Sequence, residues 1–293
     1  MTIIEAALEK QKALRNKQGA AGAVPHVPPP QARPRSGDTL PEALPPASAI
    51  QPTRVSFDPS AARDNRLLLN SSVAADRGII AAYGMLRTRV LHRMRAKGWQ
   101  TLGITSAAPQ DGKSLTAVNL ALSLAREKNS SVVLIDLDMR NPSVCRTLGI
   151  SPPMELLEYF EGRLPTVDSL FMSIGIDNLM IAGNVTAIQH SAELLSSTHL
   201  EELLLVIKRS VPNPIIVLDL PPVVSPEDTL VVAPRVDALL LVASEGVTAR
   251  TDLQKAATLL EGFPIVGFVL NRATESPESY AYGYGYGSKG ASK

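Results

Sequence analysis

Between residues 101 and 271 two hydrophobic patterns take turns along the chain. Six short runs are almost wholly apolar: TLGITS (101–106), SVVLIDLD (131–138), NLMIAG (178–183), PIIVLDL (214–220), DALLLVAS (237–244) and PIVGFVLN (264–271). Between them lie SLTAVNLALSLAREK, AELLSS, HLEELLLVIKRS and ARTDLQKAATLLEGF, whose apolar residues recur at helical spacing. Apolar runs that do not alternate with polar residues predict strands buried on both faces, and the intervening helices predict a parallel sheet covered on each side. The expected fold class is therefore α/β. In such sheets ligands bind at the carboxyl ends of the strands, so candidate chemistry belongs there.

Upstream, the pattern weakens. Thr2 and Glu5 form a capping box, and Ile3, Ile4, Ala7, Leu8 and Leu14 fall loosely on one side of a short amphipathic helix over residues 1–18. Ten of the 23 prolines lie between Pro25 and Pro59, and no periodicity survives there, which predicts an unstructured linker over 19–65. The stretch YGMLRTRVLHRMRAK restores a helical pattern, with Leu86, Val90 and Met94 four residues apart and Arg87, Arg89, Arg93, Arg95 and Lys97 unaccompanied by any acid. The folded domain is expected over 66–275. A flexible tail follows over 276–293, in which Tyr280, Tyr282, Tyr284 and Tyr286 alternate with Ala281, Gly283 and Gly285.

Composition narrows the class. A net charge of +1 provides no global field toward nucleic acid, and no nucleic-acid partner is expected. One cysteine, Cys145, excludes internal disulfides and multi-thiolate metal sites and fits a reducing compartment. The four histidines have no metal-ligand spacing. Apolar runs fall well short of the ~20 residues of a membrane span, and the charged start MTIIEAALEKQK does not read as a secretory signal, so a soluble intracellular protein is expected.

Three segments carry candidate chemistry, each at the end of a predicted strand. SAAPQDGKS (106–114) approximates G-x-x-x-x-G-K-[ST], a P-loop, with Ala107 in place of the first glycine. A strand–loop–helix turn of this kind aims consecutive backbone N–H groups at phosphate oxygens. Ala108, Pro109, Gln110, Asp111, Gly112, Lys113 and Ser114 are accordingly assigned to ATP binding, with Lys113 on the outer phosphates and Ser114 on Mg²⁺. Asn271, which closes the last strand, is grouped with them. In VVLIDLDMR, Asp136 and Asp138 emerge where one can orient Mg²⁺ and the other can take a proton from an attacking hydroxyl; Asp136 is the candidate proton acceptor and Asp138 a metal ligand, although the two could exchange roles. Asp219, ending IIVLDLPP, occupies a Walker B position facing the metal.

The loose Walker A, the D-x-D-x-R of the second segment, DLPP and the terminal tyrosine cluster together resemble the bacterial tyrosine kinases (BY-kinases) of exopolysaccharide synthesis. MTIIEAALEKQKALR and SAELLSS also resemble the exosortase-associated branch. The resemblance spans roughly residues 65–287. It implies a P-loop domain that phosphorylates its own tail at Tyr280, Tyr282, Tyr284 and Tyr286, using ATP and Mg²⁺. It further implies activation by a membrane-embedded polysaccharide chain-length regulator, placing the protein in the cytoplasm against the inner membrane. Reversal by a tyrosine phosphatase and self-association through Arg87 complete the expectation. Glycine and alanine between the phenols suit a chain that feeds successive acceptors into a site.

Four features depart from that family's pattern. Gln110 and Asp111 stand where glycine and glutamate are usual, Leu220 stands where a hydroxyl residue is usual, and an E-x-x-R-x-x-R helix is reduced to Ala81, Gly84 and Arg87. The alternative P-loop class, the septum-positioning and plasmid-partitioning ATPases of the MinD/ParA type, requires a second lysine early in the loop, where this chain has Ala108. A nucleotide-binding scaffold without transfer activity is the remaining alternative.

Overall fold

The computed structural model describes residues 49–57, 60, 65–69, 77–164, 167–224 and 227–274. The expected amphipathic helix at 1–18 and the tyrosine tail lie outside them.

Eight strands form one sheet: β1 (Thr53–Arg54), β2 (Thr101–Ser106), β3 (Ser131–Asp136), β4 (Met172–Ser173), β5 (Leu179–Ala182), β6 (Pro214–Asp219), β7 (Ala238–Ser244) and β8 (Ile265–Asn271). Their order is β1-β4-β5-β3-β6-β2-β7-β8, and every pairing is parallel except β4 against β5. Among the described residues the α-helices are α1 (Arg77–Lys97), α2 (Lys113–Leu124), α3 (Val144–Leu148), α4 (Leu156–Phe160), α5 (Ser191–Ser196), α6 (Thr198–Ser210), α7 (Asp228–Val232) and α8 (Arg250–Leu259).

Side-chain alternation within the strands divides the core in two. Val133 and Ile135 of β3, Ile216 and Leu218 of β6, and Leu239 and Leu241 of β7 pack with Leu203 and Ile207 of α6 and Ala256 of α8. Val132 and Leu134, Ile215 and Val217, and Leu240 and Val242 pack on the other face with Val90 and Met94 of α1 and Ala117, Leu120 and Leu124 of α2. Because both faces are covered, β2, β3, β6 and β7 needed no polar positions, which is why they read as unbroken apolar runs; β8, at the sheet edge, leaves Phe268 and Leu270 exposed.

Part of the Pro-rich segment expected to be unstructured is built into this sheet. Thr53 N–H donates to the Phe171 carbonyl at 2.8 Å and Val55 N–H to that of Ser173 at 3.0 Å, while Ile50 is buried. An edge strand tolerates such a sequence because only one side of its backbone must pair. Leu67 and Leu68 are also buried; the Leu68 N–H donates to Asn119 Oδ1 at 3.0 Å, fastening the approach to α1 onto α2.

Candidate functional site

The site sits where strand order and strand ends coincide. β2, which leads into the P-loop, adjoins β6, and β6 adjoins β3 with Asp136 and Asp219 in direct register. The three strand-end acids are thereby brought beside the start of α2. Lys113, the first residue of α2, places Nζ 2.7 Å from Asp138 Oδ2 and 3.5 Å from Asp219 Oδ1, and donates to Ser114 Oγ at 3.0 Å.

The acids differ in their surroundings. Asp136 is fully buried; its Oδ2 accepts the N–H groups of Ser143 at 2.8 Å and Val144 at 2.9 Å, and its Oδ1 accepts that of Asp138 at 3.1 Å. Burial pushes the Asp136 carboxyl up to about 7, the Asp219 charge adds to this, and the Val144 and Ser143 bonds with Lys113 hold it back. Asp138 Oδ1 accepts the Asn141 N–H at 3.1 Å, leaving Oδ2 to Lys113. Asp219 is fully buried, and burial raises its carboxyl above the usual range; nearby Lys113 and Ser114 oppose the shift, yet neither oxygen receives a well-formed hydrogen bond. Burial alone would lower the Lys113 ammonium; Asp219, Asp138 and Asp136 outweigh it and hold the pKa above its ordinary value.

Residues distant in sequence hold the P-loop. Asp111 Oδ2 accepts the Ala108 N–H at 2.8 Å and its Oδ1 accepts the Thr248 hydroxyl at 2.6 Å. The Asp111 carbonyl accepts from Ser244 Oγ at 3.0 Å and from Asn271 Nδ2 at 2.9 Å, and Arg272 Nη2 donates to the Gln110 carbonyl at 2.9 Å. Asn271 thus supports the loop from below. Gln110 has φ 65°, a left-handed conformation that explains why glycine suits this position, and Gly112 has φ 90°. A Cβ on Gly112 would overlap Asn271 Nδ2. Leu220, the other departure near the acids, is fully buried in the core and its N–H donates to the Ile104 carbonyl at 2.9 Å.

Arg87 stands apart from this cluster. Its Nη1 donates to the Ser123 carbonyl at 3.1 Å and its Nε lies 3.7 Å from Glu127 Oε1, so the guanidinium turns onto its own chain. The tie of Arg140 to Asp228 and the supporting roles of Thr248, Ser244 and Arg272 were not visible in the sequence; only the arginine of D-x-D-x-R stood out, as part of a motif.

Two carboxylates and a hydroxyl at Asp138, Asp219 and Ser114, with buried Asp219 oxygens lacking donors, fit a hard divalent cation such as Mg²⁺. Among the described residues no three His, Cys, Asp or Glu side chains are grouped so that they could hold a metal ion by themselves. Also among these residues, no helix is long and apolar enough to cross a membrane.

Comparison with known proteins agrees with this geometry. The profile of the ParA family, described as NUBPL iron-transfer P-loop NTPase, matches residues 100–291. Tyrosine-protein kinase CpsD of Streptococcus agalactiae is 28% identical over 201 residues, covering 68% of this chain and 84% of the relative. Tyrosine-protein kinase YwqD of Bacillus subtilis is 28% identical over 203 residues, with coverage of 68% and 84%. The VpsO kinase domain superposes with a TM-score of 0.57 at 28% identity, covering 67% of this chain and 96% of that domain. The chain belongs to the ParA family of P-loop NTPases, and its relatives within that fold are bacterial tyrosine kinases of the CpsD type.

Proposed function

We propose that this chain is an ATP-dependent protein-tyrosine autokinase that phosphorylates its own tail at Tyr280, Tyr282, Tyr284 and Tyr286. The observation that carries the reading is the single ammonium of Lys113 bridging Asp138 and Asp219 beside Ser114, at the foot of a P-loop. Phosphoryl transfer asks a protein mainly to position groups and to offset charge, and this arrangement offers both.

In this reading the backbone from Ala108 to Ser114 cradles the phosphates and Lys113 swings from the acids to the outer phosphate oxygens. Ser114, Asp138 and Asp219 would hold Mg²⁺, which offsets charge on the transferring group. Asp136 takes the phenol proton at Oδ1, the oxygen that accepts only one N–H, and a pKa near 7 matches a base working at neutral pH. The phenolic oxygen gains the γ-phosphorus as the bond to the β-phosphate oxygen breaks, and ADP leaves.

The CpsD-type relatives support a setting in exopolysaccharide polymerisation or export. There the chain would work in the cytoplasm, at the inner membrane, with a membrane-embedded chain-length regulator as activator and a tyrosine phosphatase as antagonist. Self-association through α1 belongs to the same proposal; it requires Arg87 to exchange Ser123 and Glu127 for a neighbour. Ala108, in place of the lysine that the partitioning ATPases need, argues against their dimer-dependent hydrolysis.

The test is intact mass spectrometry of the full chain incubated with Mg-ATP, with and without the cytoplasmic segment of a chain-length regulator. Up to four phosphates on the tail are expected, one for each clustered tyrosine. Lys113→Met should abolish them and, because it leaves Asp138 and Asp219 without their buried cation, should also lower the nucleotide-free melting temperature. Labelling of Lys113→Met at the wild-type rate would show that transfer happens elsewhere.

A further inference from the structure

A second charged cluster lies beyond the acids, and nothing in the transfer step uses it. Asp228, at the start of α7, is fully buried, and its carboxylate accepts the Ser191 hydroxyl at 2.5 Å. The same carboxylate faces Arg140, with Nε 3.3 Å from Oδ2 and Nη2 3.5 Å from Oδ1. Arg140 keeps 28% of its side chain exposed, and its Nη1 has no partner among the described residues. A buried carboxylate bonded on two sides fixes the guanidinium's orientation, and the open part of the fork remains free to bind a second anion.

The strand order says which side of the reaction that fork serves. The P-loop follows β2, Asp219 ends β6, the acid pair follows β3, and α5 with Ser191 follows β5, the next strand along. The Arg140–Ser191 pair therefore lies across the acids from the P-loop. An attacking hydroxyl approaches the transferring phosphoryl opposite the departing ADP oxygen, which is this far side.

We propose that Arg140 is a specificity-determining residue for the acceptor: its guanidinium, positioned by Asp228 and Ser191, binds an anionic side chain two residues before the tyrosine that reacts. The inference rests on the kinase reading above. Arg140 follows Asp136, the acid that takes the phenol proton, by four residues in the segment between β3 and α3, whose turn is closed by the Asn141 N–H to the Asp138 carbonyl at 3.1 Å. An extended acceptor places side chains i and i+2 on one side, ~7 Å apart, so an acceptor with its phenol at the acids carries its i−2 side chain on the same side.

The tail sequence has this spacing throughout. Glu278 stands two residues before Tyr280, and Tyr280, Tyr282 and Tyr284 each stand two residues before the next phenol. Glu278 would hold the tail for transfer to Tyr280. Phosphotyrosine, with about −1.5 to −2 charges and three acceptor oxygens, would then take Glu278's place for Tyr282. Phosphorylation should run in order from Tyr280 to Tyr286.

The experiment uses the full chain with all four tail tyrosines changed to Phe, so that it cannot label itself, and peptides spanning residues 274–288 with a single tyrosine at 280. With Arg140 present, Glu278→Gln in the peptide should lower kcat/KM on the order of 10-fold, the scale of one charged hydrogen bond. A peptide carrying phosphotyrosine at 280 should be labelled at Tyr282 faster than one carrying Phe at 280. Arg140→Gln should remove both preferences, Arg140→Lys should keep part of them, and Asp228→Asn should weaken them through Arg140. Binding of a fluorescent ATP analogue should stay unchanged in all three, which also verifies their folding. Equal labelling of the parent and Glu278→Gln peptides by the chain with Arg140, or a preference that persists in Arg140→Gln, overturns the inference and leaves the kinase reading intact. A chain with Arg140 that labels no peptide overturns both.

Discussion

Gly112→Ala is the sharpest test of how the P-loop is held. At φ 90° an alanine is strained by itself, by roughly 1–2 kcal/mol. Its Cβ would also overlap Asn271 Nδ2 and lie 3.3 Å from Asn271 Cγ, so the amide must leave. Leaving removes its bond to the Asp111 carbonyl, worth about 1 kcal/mol and more if that carbonyl loses a partner it cannot replace. Together the substitution should cost about 2–4 kcal/mol, which in a domain of this size lowers the melting temperature by roughly 4–16 °C. Differential scanning fluorimetry without nucleotide measures it. The double variant Gly112→Ala/Asn271→Ala separates the two parts: with the amide gone only the backbone strain remains, so the pair should couple by about 1–2 kcal/mol. A Gly112→Ala protein melting within about 1 °C of the parent, or a cycle with no coupling, would show that Asn271 does not support the loop.

Two further outcomes follow from individual residues. Gln110→Gly removes an exposed side chain from a left-handed position and keeps the carbonyl that Arg272 binds; relief of strain offset by greater unfolded-state freedom should raise the melting temperature by about 1–3 °C, and a decrease in thermal scans would contradict the assigned strain. Burial pushes the Cys145 thiol up to about 12, with the Asp136 and Glu155 charges adding to the effect, so the thiolate present at pH 8 is on the order of 1 part in 10⁴. Iodoacetamide at pH 8 should modify Cys145 only after denaturation, and rapid native labelling by mass spectrometry would refute its enclosure.

What the sequence made legible was what repeats or touches along the chain. The six apolar runs became β2, β3, β5, β6, β7 and β8, because each needed only to be continuous. The five-residue helices α3, α4 and α7 were not anticipated, since barely more than one turn shows no period. β1 hid among prolines for a related reason: two residues on an edge leave no pattern. At the site, Lys113, Ser114, Asp136, Asp138 and Asp219 could be named because strand–loop–helix grammar places strand-end groups together. Asn271 could be grouped with the P-loop, but its bond to Asp111 and the part of Thr248 could not be read, because both lie more than a hundred residues away and meet the loop only when β7 and β8 complete the sheet. Gln110 was marked as a departure from sequence, but its cost became explicit only with φ 65°.

Among the described residues, the carboxyl ends of β2, β3 and β6 carry unmet demands that no structural role explains, beside isolated atoms without a hydrogen bond elsewhere, such as Thr101 Oγ1 and Arg87 Nε. A strand-terminal aspartate usually has a structural explanation, most often capping the next helix or pairing at the surface. Asp136 partly fits that explanation, since Ser143 and Val144 at the start of α3 donate to it. Asp219 does not. It is fully buried, caps nothing, and neither oxygen has a well-formed hydrogen bond. Its nearest cation, Lys113 Nζ, is 3.5 Å away and shared with Asp138, so burying this charge is costly, and a leucine or asparagine there would avoid it. Gln110 adds a left-handed backbone within the same site, and the three acids face the one ammonium of Lys113. Elsewhere both halves of the core are packed with aliphatic side chains. Costs gathered at the carboxyl ends of β2, β3 and β6, where a parallel sheet receives its ligand, are what a functional site imposes on a fold and what a scaffold shaped for stability alone would not keep.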